Sequence, residues 1–177
     1  GFSYGDDIAS GKILALELNA YLGDQINEFV QRQKGLVLGV CNGFQVLVRS
    51  GLLPFGTMGE MQATLDMNTS RPFDCLPIKL RVEDENACVF LKETSGIVEY
   101  KVAHGEGRFY ASSETIDNIE NQRLVVLRYC DVDGNPTQEY PSNPNGSLNA
   151  IAGICDPTGR ILGLMPHPER SIKRTQY

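Results

Sequence analysis

Leu36-Val37-Leu38-Gly39-Val40-Cys41-Asn42-Gly43, residues 36–43, decides how the rest of the chain is read. Its first five residues are an unbroken apolar run, the pattern of a strand buried on both faces of a parallel sheet. Residues 42–51 then read as a helix that ends at Gly51, with Pro54 beyond it. Upstream, Ile8, Ile13, Leu14, Leu18, Tyr21, Leu22, Ile26, Phe29 and Val30 recur at helical spacing, so residues 7–33 are expected to be helical, broken near Gly11 or Gly23. Helix, buried strand and helix in succession indicate an α/β sheet.

The same stretch carries the strongest chemical signal. Gly39-Val40-Cys41-Asn42-Gly43 has the form of a nucleophile elbow, G-x-S-x-G with Cys in place of Ser. A nucleophile on a sharp turn between strand and helix sits on strained backbone, and its neighbours must be small. The turn lifts the sulfur out of the sheet and sets Cys41 at a helix N-terminus, where the dipole and free N–H groups favour a thiolate. The N–H of Asn42 then points to where an oxyanion would form. The bland alternative is a buried structural cysteine in a Gly-rich turn. The strand before it and the helix after it favour the catalytic reading.

A Cys nucleophile needs a base, and the base needs an orienting acceptor. Met165-Pro166-His167-Pro168-Glu169-Arg170 follows a predicted strand and offers both. In an extended segment residues i and i+2 face the same way, which sets Glu169 beside one imidazole nitrogen of His167. Pro166 and Pro168 stiffen the segment. Taken alone, His167 reads as a surface residue in a proline turn. The upstream Cys41 makes it the expected base. The other histidine, His104, lies in Val102-Ala103-His104-Gly105-Glu106-Gly107 and is expected to be a satisfied core residue at a strand end, with its glycines free to line a pocket.

Between these motifs, Ile78–Val82, Ile97–Val102, Arg108–Ala111 and Leu124–Cys130 alternate like antiparallel strands. Residues 113–121 are expected to form a short helix, and residues 57–72 a loop. Residues 131–147 form a long turn-rich loop of the kind that is often functional. Ile151–Cys155 and Ile161–Met165 are expected strands, joined by Asp156-Pro157-Thr158-Gly159 as a hairpin.

The whole chain has 177 residues, which suits one domain able to bury a core without metals or disulfides. Sixteen Lys and Arg against 22 Asp and Glu give a net charge of −6, which argues against a phosphate-backbone binder. The five cysteines are odd in number and dispersed. With two histidines they suggest no zinc cluster, and their distribution suggests a reducing, cytoplasmic setting. The start has no signal-peptide pattern, and no apolar run has membrane-spanning length. Gly5 to Lys12 is one residue too long for a phosphate loop, and Ile13 replaces its Ser or Thr. Asp131-Val132-Asp133-Gly134-Asn135 lacks the closing Glu of a calcium loop. Asp6-Asp7 reads as a helix cap and first-turn acid. Asn145-Gly146-Ser147 matches the glycosylation pattern but reads as a turn.

Four stretches, GFSYGDD (1–7), GVCNGFQ (39–45), VAHGEG (102–107) and MPHPER (165–170), resemble the glutaminase subunits of phosphoribosylformylglycinamidine synthases, class I (triad-type) glutamine amidotransferases of purine biosynthesis. The resemblance runs from Gly1 to Arg170. It implies a flavodoxin-like α/β fold, a mostly parallel sheet flanked by helices with an additional antiparallel portion. It implies that Cys41, His167 and Glu169 form a triad that splits ammonia from L-glutamine. It also implies that Gln45 helps bind glutamine, that N–H groups of Asn42 and of the Gly1-Phe2 loop form the oxyanion hole, and that backbone at Gly105 and Glu106 borders the substrate. No cofactor or metal is implied for this chain. ATP and Mg belong to a synthetase partner that acts on formylglycinamide ribonucleotide, with a small third subunit in some organisms. The family pattern places a strand, helix and strand, roughly 30 or more residues, ahead of this start, and a helix beyond Tyr177. A single domain over 1–177, shortened at both ends, is therefore expected. Two other readings remain: a different triad Cys hydrolase or amidotransferase on the same fold, or a catalytically incomplete docking module.

Overall fold

A computed structural model of the chain describes residues 9–171. Gly11 stands ahead of the first helix in a left-handed conformation (φ 75°), and α1 runs Lys12–Asn27, continued by a wide turn over Glu28–Arg32. The expected break thus falls at Gly11, while Gly23 lies inside the helix. Within α1 only Ala15 is fully buried, and Leu16, Tyr21 and Leu22 are exposed. The spacing therefore located the helix but not a core-facing stripe, because its apolar residues spread around the axis.

β1 (Val37–Val40) leads directly into α2 (Asn42–Arg49), which ends before Gly51 in a left-handed conformation (φ 83°). Five consecutive residues of α2, Phe44 to Val48, are buried. β1 itself corrects an expectation. Leu36 and Leu38 are more than half exposed, and β1 is an edge strand of the described sheet. An apolar run reports what a strand could bury, not what covers it.

A second correction falls in residues 57–72, where β2 (Ala63–Asp66) replaces the expected loop. Four residues with only Ala63 and Leu65 turned inward are too short to stand out from polar neighbours. β3 (Asp74–Val82), β4 (Ile97–His104), β5 (Arg108–Ala111), α3 (Ser113–Asn121), β6 (Val125–Cys130), β7 (Ile151–Cys155) and β8 (Ile161–Leu164) lie where expected, with β3 and β4 longer at the ends that approach one another. The Ser112 hydroxyl caps α3 by accepting from the Thr115 N–H at 3.1 Å.

The main sheet has the order β1-β8-β7-β6-β3-β4, and β2 pairs with β5 in a separate two-stranded sheet. Among the described strands β1 and β8 are parallel, and the other neighbours in the main sheet are antiparallel. Apolar side chains alternate between two clusters. Ile161 joins Phe44, Leu53 and Phe109 on one side, and Leu162 and Leu164 join Val102, Leu80 and Tyr129 on the other. Although β4 stands at the far edge, its Lys101 makes an isolated bridge to His167, just beyond β8. The sheet therefore curls until the end of β4 meets the carboxyl ends of β1 and β8. No helix among the described residues is long and apolar enough to cross a membrane.

The 131–147 loop acquires a structural account. Asp131 uses one carboxylate oxygen to accept from the N–H groups of Asp133 and Asn135, so the calcium-like run closes on its own backbone. The far end of the loop is buried. Asn145 donates to the Gly107 carbonyl (2.8 Å) and to the Tyr129 hydroxyl (3.0 Å), and the Ser147 hydroxyl accepts from the Phe109 N–H (2.9 Å). The loop props the turn between β4 and β5. The glycosylation-like triplet Asn145-Gly146-Ser147 is therefore internal scaffolding.

Candidate active site

Parallel pairing places the carboxyl ends of β1 and β8 side by side, Val40 opposite Leu164. The Cys41 N–H donates to the Leu164 carbonyl at 2.8 Å and carries the pairing one residue further. The chain leaves β1 into Cys41 and leaves β8 into Met165-Pro166-His167, so both motifs emerge at one edge of the sheet. Open α/β sheets place their ligands there.

Cys41 adopts φ 52° and ψ −106°, backbone that an L-residue rarely occupies. Gly39 makes the turn possible: a Cβ there would stand 2.6 Å from the Leu47 Cδ1 and 2.7 Å from the Gly43 carbonyl carbon and oxygen. Gly43 has nothing within 4 Å of such a Cβ, so only one of the two glycines is required for room. Cys41 is 5% exposed, with Sγ 3.9 Å from the Ala103 carbonyl oxygen. Burial pushes the Cys41 thiol up, against the smaller opposing pull of the Asn42 N–H. This reverses the expectation of a resting thiolate. Alkylation of Cys41 by iodoacetamide, without substrate, should therefore reach half its maximum above the pH at which a free thiol does, about 8.5. A midpoint at or below that value would show that the helix N-terminus outweighs burial.

His167 Nδ1 lies 2.6 Å from Glu169 Oε1, so the expected base and orienter do meet. They meet across a short 3-10 turn (Pro168–Arg170) rather than along an extended segment. The His167 N–H donates to the Lys101 carbonyl at 2.8 Å, which anchors the backbone to β4. Its Nε2 is buried without a hydrogen-bond partner among the described residues, so imidazole and thiol are unbonded in this arrangement. Contacts between a base and a nucleophile commonly tighten only with substrate. Glu169 and Arg170 both lie near enough to act on the charge of Cys41.

His104 is buried as expected, but it is not a satisfied core residue. The residue is 1% exposed, and neither ring nitrogen has a hydrogen-bond partner among the described residues. Burial, then the neighbouring His167, lowers its pKa to about 4, so it is neutral near pH 7. Gln45 is 1% exposed, and both ends of its amide are engaged: Oε1 accepts from Asn42 Nδ2 (3.0 Å) and Nε2 donates to the Glu106 carbonyl (2.6 Å). The Gly105 carbonyl accepts from the Asn68 N–H at 2.8 Å. Gly1 and Phe2, expected at the oxyanion hole, and Asp6-Asp7, expected as a helix cap and first-turn acid, lie outside the described residues. Among the described residues no group of three or more His, Cys, Asp or Glu is arranged to hold a metal ion. Sequence reasoning missed Arg49 and Ser10, which close on Glu106 through contacts with no local signature.

The fold and its edge of converging motifs define an α/β protein with a cysteine, a histidine and a glutamate gathered at the carboxyl ends of neighbouring parallel strands. A family model described as CobB/CobQ-like glutamine amidotransferase domain matches residues 1–177, and the chain belongs to that family. It is 46% identical over 175 residues to the phosphoribosylformylglycinamidine synthase subunit PurQ of Methanococcus maripaludis, covering 97% of this chain and 63% of that protein. It is 44% identical over 179 residues to the same subunit from Dehalococcoides mccartyi, covering 100% of this chain and 67% of that protein. Among solved structures it is similar to that of PurLQS from Thermotoga maritima, with a TM-score of 0.72, 30% identity, and coverage of 99% of this chain and 69% of the other. The chain thus spans slightly less than two thirds of the first of these relatives.

Proposed function

We propose that this chain hydrolyses L-glutamine to glutamate and ammonia, and passes the ammonia to a synthetase subunit that converts formylglycinamide ribonucleotide to formylglycinamidine ribonucleotide. The observation that carries this reading is the pairing of β1 with β8, from whose carboxyl ends the strained Cys41 and the segment of His167, held by Glu169, emerge at one edge of the sheet. Support comes from the family match and from relatives named as subunits of that synthase.

In this mechanism His167 Nε2 takes the Cys41 proton, and the sulfur attacks the side-chain amide carbon of glutamine. The Asn42 N–H, at the start of α2, stabilises the tetrahedral oxyanion. Collapse breaks the C–N bond while His167 returns the proton to nitrogen, releasing ammonia and leaving a γ-glutamyl thioester on Cys41. Water, deprotonated by His167, then cleaves the thioester. Glu169 holds the imidazole with Nε2 toward the sulfur and stabilises the imidazolium. Gln45 acts through the wall it holds rather than through a free amide. The oxyanion role of the Gly1-Phe2 loop belongs to this proposal as well. ATP and Mg act on the synthetase, and five unpaired thiols suit a reducing, cytoplasmic setting.

The test uses the full-length protein with its synthetase. An electrophilic diazoketone analogue of glutamine should label Cys41, and Cys41→Ser should abolish both labelling and ammonia release. Ammonia release should rise when the synthetase is added. Absence of labelling in the partner-bound protein overturns the proposal. Turnover of γ-glutamyl peptides but not glutamine would replace it with a different triad hydrolase.

A further inference from the structure

Gln45 and Arg49 are four residues apart and share one face of α2. Both reach the turn between β4 and β5. Gln45 holds the Glu106 carbonyl (2.6 Å), and Arg49 Nη2 lies 3.7 Å from the Glu106 carboxylate. Arg49 Nε donates to the Ser10 carbonyl (2.8 Å), and the Ser10 N–H donates to Glu106 Oε2 (3.2 Å). These contacts close a ring through three segments: the lead-in to α1, the nucleophile helix, and the turn that follows β4, the strand whose Ala103 carbonyl lies 3.9 Å from the Cys41 sulfur.

The ring differs from an ordinary surface ion pair in what it satisfies. Ser10 is 5% exposed, so its backbone N–H and C=O both need partners inside the protein. Glu106 accepts from the one, and Arg49 donates to the other. A carboxylate and a guanidinium each suit one of these backbone groups and also attract each other. Gly11, the next residue, rests on α2: a Cβ there would stand 3.0 Å from the Val46 N. The lead-in is therefore seated on the nucleophile helix at Gly11 and tied to the pocket turn at Ser10.

We propose that Arg49 and the Glu106 carboxylate are positioning residues whose ring with Ser10 fixes the glutamine-pocket turn relative to the Cys41 helix. The ring touches neither the sulfur nor the imidazole, so it governs how well glutamine is held rather than how reactive Cys41 is. This deepens the glutaminase reading and rests on it.

The test compares Arg49→Met, Arg49→Lys and Glu106→Gln in the full-length, synthetase-bound enzyme. Arg49→Met should raise the KM for glutamine about tenfold, the scale of a lost charge-assisted hydrogen bond, with a smaller fall in kcat. Alkylation of Cys41 by iodoacetamide should keep its wild-type rate. Arg49→Lys keeps the charge but cannot repeat the fork, and Glu106→Gln keeps an acceptor for Ser10. Both should fall between wild type and Arg49→Met, and they carry the test if Arg49→Met does not fold. Hydrogen exchange at the Ser10 amide should quicken in Arg49→Met. A wild-type KM and wild-type Ser10 exchange in Arg49→Met overturn the proposal, as does an equal loss of KM, kcat and alkylation rate. If the wild type itself does not turn over glutamine, the glutaminase reading fails, and the Ser10 exchange then decides on the ring alone.

Discussion

Replacing His167 with alanine is expected to lower kcat for glutamine hydrolysis by about 10³- to 10⁴-fold, with the fold intact. The size follows from the state of the nucleophile. Burial holds the Cys41 thiol protonated at rest, so the chain has no standing thiolate to fall back on and depends on a base at the moment of attack. Residual activity in His167→Ala should rise steeply as pH climbs through and past the thiol range, because hydroxide then does what the imidazole did. In the wild type that alkaline rise should be absent. His104 does not rescue the variant. It is a neutral imidazole packed against Gly107, and a pKa lowered to about 4 makes it a poor proton acceptor. Glu169→Gln should cost less, about ten- to a hundredfold, since its side chain is 58% exposed and water can take over part of its task. Initial rates of ammonia release from pH 6 to 10 check all of this. A His167→Ala enzyme within tenfold of wild type at pH 7 would remove His167 from the mechanism.

The candidate site's side chains were legible because their signals are local. Gly39 to Gly43 states its own geometry, and His167 and Glu169 are two residues apart, so their contact survives even though the segment forms a 3-10 turn. The strands of the second half were legible for the same reason, since alternation along each one reports its faces. What failed depends on contacts distant in sequence. β2 exists because β5, more than 40 residues on, accepts it. The exposure of Leu36 and Leu38 depends on what lies beside β1, which no run of apolar letters encodes. Arg49 reads as a last-turn cation of a helix, and only the fold shows it reaching Ser10 and Glu106. The polar residues Asn143, Asn145 and Ser147 read as loop, yet they are buried because the turn between β4 and β5 needs their hydrogen bonds. Composition separates core from surface well for apolar residues and poorly for polar residues that serve as internal struts.

The second large effect is expected from a single methyl group. Gly39→Ala should destabilise the protein by about 2–3 kcal/mol, at the upper end of what overpacking a rigid site costs. The added Cβ would stand 2.7 Å from the Gly43 carbonyl carbon and oxygen and 2.6 Å from Leu47 Cδ1. The leucine could turn aside, but the Gly43 carbonyl belongs to the first turn of α2 and cannot retreat without carrying Cys41 with it. Cys41 already occupies strained backbone at φ 52°, so the turn has little freedom left to absorb the displacement. For a chain of this length the loss corresponds to a fall in Tm of about 5–10 °C. Activity should fall further than stability, since the site is built on the same turn. Gly43→Ala is the discriminating control. It belongs to the same motif, but has open space around its Cβ and no left-handed backbone. It should leave stability unchanged or raise it by about 0.5 kcal/mol through a stiffer unfolded chain. Thermal unfolding of the two variants side by side separates a steric requirement from a motif that merely happens to contain two glycines. Equal losses at both positions would mean that the elbow needs small residues for a reason other than the contact between Gly39 and the first turn of α2.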